Sequence, residues 1–298
     1  MGIRLGIIGF GEVGGIFGRG LIGKEGVDAV HAWDIKFAAG AKADAAKAPV
    51  FDGVQPVDGM AALCERSDLL ISAVTASSTL AAAEEAARHA RAGSVFLDLN
   101  SASPGTKQKA AKALEAAGVA YVEAGVMTSV PPYGIRVPML LGGARAAELA
   151  TRLAGWGMDA KPVSEQLGIA SAIKMSRSIM IKGLEALVIE SYATARHYGV
   201  EAHVLPTLKE TFPQIDWEKQ GAYFFSRVVK HGKRRAEEMR EAAQTVQEAG
   251  FTPFMARATA DKQDWVAGLA REGVFAGLPS DAPWEAYADL LIARTEGK

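Results

Sequence analysis

Short apolar runs alternate with alanine-rich, charged segments through the first half of the chain. The runs have the length and composition of buried strands, and the segments between them favour helices. The first predicted strand begins at Ile3, and further strands are predicted over residues 29–33, 54–57, 69–74, 94–98, 119–123 and 138–141. Helices are predicted over residues 38–48, 80–91 and 104–117. Because the strands are almost continuously apolar, we expect a parallel sheet covered on both faces.

The pattern changes at about Ser164, and everything that follows favours helices. Residues 167–198 contain no proline and, after the opening Gly168, one interior glycine, which predicts a single long helix able to link two domains. Residues 222–249 and 256–270 are the next clearest helices. We therefore expect an all-α second domain over residues 164–298, joined to the first by the long helix.

The first strand ends in three glycines, Gly9, Gly11 and Gly14, with the spacing G-x-G-x-x-G. In a strand-to-helix turn of this kind, the first glycine permits the turn, the second lets the backbone approach a pyrophosphate, and the third lets the helix lie close to the strand. Asp34 ends the second apolar run, where a carboxylate accepts hydrogen bonds from an adenine-ribose diol. Residues 1–163 are therefore predicted to form a Rossmann-type, doubly wound domain that binds NAD(P).

Asp34 also bears on the choice of cofactor. Its charge would repel a 2′-phosphate and favours NAD, whereas Lys36 could pair with that phosphate, which leaves NADP open; Lys36 is otherwise a solvated loop lysine. The predicted cofactor contacts in these two segments are Gly9, Phe10, Gly11, Glu12, Val13, Gly14, Asp34, Ile35 and Lys36.

Composition narrows the class of protein. Of the 298 residues, 49% are hydrophobic and 22% charged, and a formal net charge of -1 gives no general attraction to nucleic acid or an anionic membrane. No apolar run approaches the ~20 residues of a membrane span. The single cysteine, Cys64, has no partner for an intrachain disulfide and no accompanying metal-ligand pattern. We expect a cytoplasmic protein that acts on a small molecule without a metal.

Ligands of open parallel sheets bind beyond the carboxyl ends of the strands, which are followed here by residues 74–78, 98–104 and 123–130. These three loops are expected to surround one crevice. Val74 and Thr75 begin the first loop and are predicted to contact the cofactor.

The second loop has the most polar side chains. Asn100 and Ser101 place an amide and a hydroxyl where a nicotinamide or a substrate carboxylate would lie. Turn chemistry is the alternative explanation, and Ser103 in particular is expected to cap the helix that Pro104 opens.

Lys174 lies near the start of the long helix in an otherwise apolar segment. The ordinary pKa of a lysine is too high for a general base, but desolvation and the positive nicotinamide of the oxidised cofactor would both lower that pKa. Lys174 could then accept a hydroxyl proton during hydride transfer. The alternative is a lysine whose stem covers apolar surface while its ammonium reaches water. Ser178 follows one turn later and could help to hold a substrate.

These residues resemble the β-hydroxyacid dehydrogenases related to 6-phosphogluconate dehydrogenase, over nearly the whole chain. The similar stretches are Gly9-x-Gly11-x-x-Gly14, Asp98-x-Asn100-Ser101-x-x-Pro104 and Gly168-x-Ala170-x-x-x-Lys174. The resemblance implies that the second stretch contacts nicotinamide and substrate and that Lys174 is the catalytic acid/base. The C-terminal part, including Arg234-Arg235-x-x-Glu238-Met239, is similar to a subgroup with a C-terminal domain of unknown function.

Two departures from the family argue against its usual 3-hydroxyisobutyrate-like substrate. The family usually has Pro-Val-Ser-Gly-Gly where this chain has Gly-Val-Met-Thr-Ser over residues 125–129, so Thr128 or Ser129 takes the place of the substrate-binding serine. Four residues after the lysine, the family usually has Asn, and this chain has Ser178.

The densest basic segment, residues 227–235, allows two interpretations. On an exposed helical face, Arg234 would pair with Glu238 four residues later. Alternatively, His231 with Arg234 or Arg235 holds a carboxylate or phosphate of the substrate. The segment is too short to predict nucleic-acid binding.

We therefore expect an oxidoreductase that transfers a hydride between NAD(P) and the hydroxyl-bearing carbon of a small hydroxy acid or related alcohol. An imine reductase and a non-catalytic dinucleotide sensor are the alternatives, although imine reductases usually carry Asp or Tyr in place of Lys174. The predicted substrate contacts, which suit an anionic molecule, are Asn100, Ser101, Thr128, Ser129, Ser178, His231 and Arg234. Because the helical domain has more aromatic residues than we expect it to bury alone, we expect a homodimer.

Overall fold

The computed structural model of the protein describes residues 2–38, 51–279 and 281–296. The chain divides into two compact units, Met1–Met175 and Ser176–Lys298. No helix in these described ranges is long and apolar enough to cross a membrane.

In the first unit, the described residues form one eight-stranded sheet with accompanying helices. The strands are β1 (Ile3–Ile8), β2 (Val27–Trp33), β3 (Gln55–Pro56), β4 (Leu69–Ser72), β5 (Val95–Asp98), β6 (Ala120–Val126), β7 (Met139–Gly142) and β8 (Ala160–Ser164), and the helices are α1 (Glu12–Leu21), α2 (Ile35–Ala38), α3 (Met60–Glu65), α4 (Thr79–Ala87), α5 (Pro104–Ala116) and α6 (Ala146–Gly155). The strand order is β3-β2-β1-β4-β5-β6-β7-β8. The chain therefore starts inside the sheet at β1, adds β2 and β3 on one side, and then adds β4 to β8 on the other side. This is the predicted doubly wound architecture.

Both faces of the sheet are buried, as the almost continuous apolar runs indicated. Leu70 and Ile71 are adjacent on β4 yet belong to different hydrophobic clusters, and so do Phe96 and Leu97 on β5. Successive strand residues point to opposite faces, so each face has its own core.

The expectation of a wholly parallel sheet is wrong for one pair of strands. Among β1 to β6, all neighbouring strands pair in parallel, but β7 runs antiparallel to β6. A parallel connection needs a crossover, usually a helix. The segment between β6 and β7 has only a short 3-10 turn, Gly134–Arg136, so the chain turns straight back.

Two further elements differ from the predictions. Strand β8 pairs parallel with β7 at the edge of the sheet, and sequence reasoning missed it because Lys161, Pro162 and Val163 are exposed and form no buried apolar run. Most of the helix predicted over residues 38–48 lies outside the described residues.

The second unit is helical, as predicted. Helix α7 (Ile169–Tyr198) begins in the first unit and continues into the second, where it is followed by α8 (Glu201–Thr211), α9 (Trp217–Glu248), α10 (Phe254–Arg271) and α11 (Trp284–Glu296). Tyr192, Phe225 and Trp284 are fully buried in the core of this unit. Gly232 lets α9 and α10 approach closely, because an added Cβ would lie 2.7 Å from the carbonyl oxygen of Gln263.

Candidate active site

The glycine-rich turn after β1 is crowded at two of its glycines and open at the third. Gly9 has a φ of +84°, and an added Cβ would lie 2.7 Å from the Ala73 carbonyl oxygen. A Cβ on Gly14 would lie 1.9 Å from the Gly9 carbonyl oxygen. In contrast, a Cβ on Gly11 would meet nothing within 4 Å. Gly9 and Gly14 are therefore needed for packing within the protein, and Gly11 leaves one side of the turn open.

The open side of this turn lies at the start of a helix. Helix α1 starts directly after Gly11, and this cap residue has no side chain to accept hydrogen bonds from the first N–H groups of the helix. Such N–H groups and the positive end of the helix dipole favour an anion. Glu12 and Val13 form the first turn of α1, Glu12 being exposed and Val13 half-buried.

Asp34 lies directly after β2 and is tied to the same turn. Its Oδ2 accepts the backbone N–H of Phe10 at 2.7 Å, and its Oδ1 accepts the backbone N–H of Lys36 at 2.9 Å. Each carboxylate oxygen can accept a further hydrogen bond, so the group remains able to bind a ribose diol. Ile35 and Lys36 are exposed beside it.

Asn100 joins the ends of two neighbouring strands. Its Oδ1 accepts the backbone N–H of Val74 at 2.7 Å, and its Nδ2 donates to Ser72 Oγ at 2.9 Å. The side chain is buried, and both of its polar ends have partners inside the protein. Asn100 thus fixes the loop after β5, and its predicted contact with nicotinamide or substrate stays a prediction.

A buried ionic network, which sequence reasoning missed, supports the same loop. Lys107 Nζ lies 2.9 Å from Asp98 Oδ1 and donates to the Asp98 carbonyl oxygen at 3.0 Å, and all of these side-chain atoms are buried. Tyr121 donates its hydroxyl to Asp98 Oδ2 at 2.7 Å, and burial, with the nearby Asp98 charge, raises the pKa of this phenol well above its usual value. Asp98 Oδ1 also accepts the backbone N–H of Asn100.

Ser103 begins α5 as predicted. Its Oγ accepts the backbone N–H of Thr106 at 3.2 Å, and Pro104 follows in the first turn of the helix. The predicted cap is confirmed. Asn100 fixes the start of the loop after β5, and Ser103 fixes its end by capping α5. The residues between them are therefore held at both ends.

Lys174 and Ser101 are in contact, although 73 residues separate them in the sequence. Lys174 Nζ donates a hydrogen bond to Ser101 Oγ at 2.6 Å, and both side chains are half-buried. The ammonium of Lys174 is thus directed at a hydroxyl of the loop after β5. The two stretches of sequence that carry the predicted chemistry meet at this point.

Glu123 on β6 binds the start of α7 and was not anticipated from the sequence. Its Oε1 accepts the backbone N–H groups of Gly168 at 2.8 Å and Ala170 at 3.1 Å, and its Oε2 accepts the Ser171 hydroxyl at 2.6 Å. The side chain is completely buried. Lys174 follows Ala170 by one helical turn, so the carboxylate fixes the segment that carries the lysine.

The remaining predicted residues of the first unit lie in its loops. Thr75 Oγ1 is hydrogen-bonded to Ser78 Oγ at 3.0 Å in the loop after β4. Thr128 is exposed and Ser129 half-buried in the loop after β6. Their contacts with cofactor or substrate stay predictions.

The second unit uses one of its predicted basic residues for structure. Arg235 is buried and its Nε donates to Glu185 Oε2 at 2.9 Å, so its guanidinium serves a structural ion pair, and the alternative in which Arg235 binds substrate stays a prediction. Arg234 is half-exposed and lies 3.9 Å from Glu238, at the predicted spacing of four. His231 is half-buried.

Ser178 belongs to a second polar cluster of this unit. Its side chain is buried and accepts a hydrogen bond from Lys182 Nζ at 3.2 Å, and Lys182 pairs with Glu238 at 2.8 Å. Across the described residues, no group of three or more His, Cys, Asp and Glu side chains could hold a metal ion.

Two family models match the chain. Residues 4–147 match the NAD binding domain of 6-phosphogluconate dehydrogenase, and residues 195–266 match a domain of unknown function, DUF1932. A conserved hypothetical protein from Sinorhizobium meliloti 1021 is 38% identical, with a TM-score of 0.76, over 99% of this chain and 97% of that chain. The chain therefore belongs to the family that joins a 6-phosphogluconate dehydrogenase-like NAD-binding domain to a C-terminal DUF1932 domain, and the predicted resemblance is confirmed.

Two other solved structures show the same fold. A conserved protein of unknown function, described as structurally similar to 3-hydroxyacid dehydrogenases, is 29% identical, with a TM-score of 0.66, over 91% of this chain and 98% of that chain. The 3-hydroxyisobutyrate dehydrogenase of Mycobacterium tuberculosis, solved with L-serine, is 15% identical, with a TM-score of 0.65, over 98% of this chain and 99% of that chain. At that identity the likeness concerns the fold alone. The predicted fold class is confirmed.

Proposed function

We propose that the protein is an NAD(P)-dependent oxidoreductase that transfers a hydride between the nicotinamide and the hydroxyl-bearing carbon of a small hydroxy acid or related alcohol. The observation that carries the proposal is the 2.6 Å hydrogen bond from Lys174 Nζ to Ser101 Oγ. It brings a candidate proton acceptor onto a loop at the carboxyl ends of the strands, where ligands of such sheets bind. The match to an NAD-binding domain supports the same reaction class.

Lys174 is the proposed acid/base. In its neutral form it accepts the proton of the substrate hydroxyl during oxidation, and as an ammonium it returns that proton during reduction. Ser101 orients Nζ through their hydrogen bond. The bound nicotinamide supplies the acceptor or donor of the hydride.

The turn at Gly9–Gly14 and the carboxylate of Asp34 are proposed to hold the cofactor. The open side of Gly11 admits a pyrophosphate, and Asp34 keeps acceptor capacity toward a ribose diol. We propose NAD rather than NADP, because the Asp34 carboxylate would repel a 2′-phosphate. Lys36, exposed beside Asp34, keeps NADP as the alternative.

The substrate contacts remain proposals for individual residues. They are Asn100, Ser101, Thr128 and Ser129 in the first unit, and Ser178, His231 and Arg234 in the second. Val74 and Thr75 are proposed as further cofactor contacts. The hydroxyl groups of the first set of substrate contacts would suit a carboxylate or phosphate, and so would the imidazole and guanidinium groups of the second set.

The proposed homodimer rests on the second unit. Tyr223 and Trp265 are 52% and 44% exposed, and Leu187 on α7 is 54% exposed. Aromatic and aliphatic side chains of this size are common in subunit interfaces. Light scattering at micromolar concentration would reveal a mass near twice that of the chain, and a monomer mass would reject the proposal.

The reaction class can be tested by following nicotinamide absorbance with a panel of substrates. The panel contains 2- and 3-hydroxy acids, sugar acids, aromatic alcohols and, with the reduced cofactor, cyclic imines, each with NAD(H) and NADP(H). Turnover of a hydroxy acid or alcohol with NAD supports the proposal. Turnover confined to imines would replace it with the imine reductase, and tight NADH binding without any turnover would favour the sensor.

A further inference from the structure

Glu123 caps a helix from a distant part of the chain. A helix N-terminus is usually capped by a Ser, Thr, Asp or Asn directly before it, which satisfies N–H groups without fixing where the helix lies. Glu123 instead reaches α7 from β6, and 45 residues separate it from its partner Gly168. Its hydrogen bonds therefore attach the start of α7 to the sheet.

Two glycines make room for this attachment. A Cβ on Gly125 would lie 2.9 Å from the Ala170 carbonyl oxygen and 3.5 Å from Lys174 Cβ, so the first turns of α7 rest directly on β6. A Cβ on Gly142 would lie 2.5 Å from Glu123 Oε1. Larger residues at either position would push α7 or the carboxylate away.

The partner of Lys174 is held from the neighbouring strand. Asp98 and Glu123 are in register on β5 and β6, and both carboxylates are completely buried. Asp98, with Lys107 and Tyr121, supports the loop that carries Ser101. Adjacent positions of one sheet thus determine where Ser101 Oγ and Lys174 Nζ lie.

We propose that Glu123 is a positioning residue, which holds the first turn of α7 against β6 and thereby places Lys174 Nζ on Ser101. The expected effect of Glu123 on the reaction rate rests on the proposed role of Lys174 as the acid/base. Its effect on the position of Lys174 does not depend on that role. Displacement of a reacting group by about 1 Å can cost on the order of 100-fold in rate. Because only the rate depends on catalysis by Lys174, the position of Lys174 and the turnover rate are measured in separate experiments.

Four variants separate positioning from folding. Glu123→Met removes every acceptor, and Glu123→Gln keeps the oxygen that accepts the N–H groups of Gly168 and Ala170. Gly142→Ala displaces the carboxylate without changing it, and remains informative if Glu123→Met does not fold. Gly155→Ala is the matched control, because its Cβ would meet nothing within 4 Å.

The placement of Lys174 is measured by acetic anhydride labelling and mass spectrometry, with the exposed Lys109 and Lys112 as internal references. Labelling of Lys174 is expected to rise several-fold in Glu123→Met and Gly142→Ala, to rise less in Glu123→Gln, and to stay unchanged in Gly155→Ala. An unchanged Lys174 signal in a folded Glu123→Met or Gly142→Ala variant would overturn the proposal, whether or not the wild type turns over any substrate.

The rate is measured with whichever hydroxy acid or alcohol the wild type oxidises. In Glu123→Met, kcat is expected to fall about 100-fold while KM and NADH affinity stay near the wild-type values, and Glu123→Gln is expected to recover most of the loss. If Glu123→Met shows increased labelling of Lys174 but an unchanged kcat, Glu123 holds the helix without contributing to the reaction. That result would overturn the proposed effect of Glu123 on catalysis. No wild-type turnover would instead count against the proposed function.

Discussion

Two glutamates, Glu123 in the first unit and Glu185 in the second, are 0% and 1% exposed, yet their charges are satisfied in different ways. Within the described part of the chain, Glu123 receives two backbone N–H groups and one hydroxyl. Glu185 on α7 pairs with the guanidinium of Arg235 on α9 and receives an amide N–H from Gln263 at 3.4 Å.

The difference shows two uses of a buried carboxylate. The hydrogen bonds of Glu123 end on backbone groups, so they fix the path of the main chain beside Lys174. The pair of Glu185 with Arg235 links side chains of two packed helices. A buried ion pair contributes little net stability, but removal of one partner leaves an uncompensated charge. We therefore expect the hydrogen bonds of Glu123 to matter most for activity and the ion pair of Glu185 with Arg235 to matter most for stability.

The largest expected effect on stability follows from Arg235→Met. The variant leaves the Glu185 carboxylate buried without its cation, and the free energy of unfolding should fall by about 3–5 kcal/mol. Urea denaturation followed by tryptophan fluorescence measures this loss. Arg240→Met, also on α9, removes an exposed pair with Asp264 on α10 and should cost at most about 1 kcal/mol.

A double variant separates the effect of the ion pair from that of the packing around Arg235. Adding Glu185→Leu to Arg235→Met removes the uncompensated charge and should recover most of the lost stability. Failure to recover it would mean that the packing of the Arg235 stem, rather than the ion pair, accounts for the loss.

A smaller effect is expected from Tyr121→Phe in the first unit. The change removes one hydrogen bond to the buried Asp98 carboxylate, which keeps Lys107 and the Asn100 N–H as partners. The free energy of unfolding should fall by about 1.5–3 kcal/mol, measured by urea denaturation. Tyr133→Phe, at a 48% exposed position, serves as the control. Equal losses in both variants would contradict the role given to the Asp98 network.

The smallest effect concerns a carboxylate at the surface. Hydrogen bonds from Arg4, together with Arg91, hold the pKa of Asp68 well below its usual range. Since the folded-state pKa is below the unfolded value, the stabilisation is present above about pH 4 and is lost as the pH falls through the folded-state pKa. The side chain is 36% exposed, so solvent screening limits the contribution to about 0.2–1 kcal/mol.

Asp68→Asn tests this dependence. Its melting temperature should lie slightly below that of the wild type at pH 7, and the difference should shrink toward pH 2 and with added salt. A difference that stays constant with pH would show that the charge of Asp68 is not its cause.

The parts of the fold that depend on local sequence were predictable. The turn at Gly9–Gly14, the cap at Ser103 and the long helix α7 each follow from backbone freedom, hydrogen-bonding capacity or apolar spacing within a few residues. The sequence also marked Ser101 and Lys174 separately as candidate site residues.

The supporting contacts were not predictable in the same way. Asp98 and Glu123 each follow an apolar run, but their pairing in register depends on how β5 and β6 align. In the sequence, Lys107 has the pattern of an ordinary polar residue of a helix. Only the tertiary fold buries it against Asp98. The reversal of β7 likewise depends on the lack of a crossover helix before it.

The most direct test of the account compares Lys174→Met with Lys161→Met, the latter at an exposed lysine of β8. NADH affinity by fluorescence and kcat with the substrate found in the panel are measured for both variants and the wild type. We expect NADH affinity to be retained in both, with kcat lower by about 10²–10⁴-fold in Lys174→Met alone. A kcat for Lys174→Met equal to that of the wild type would contradict the assignment of Lys174 as the acid/base.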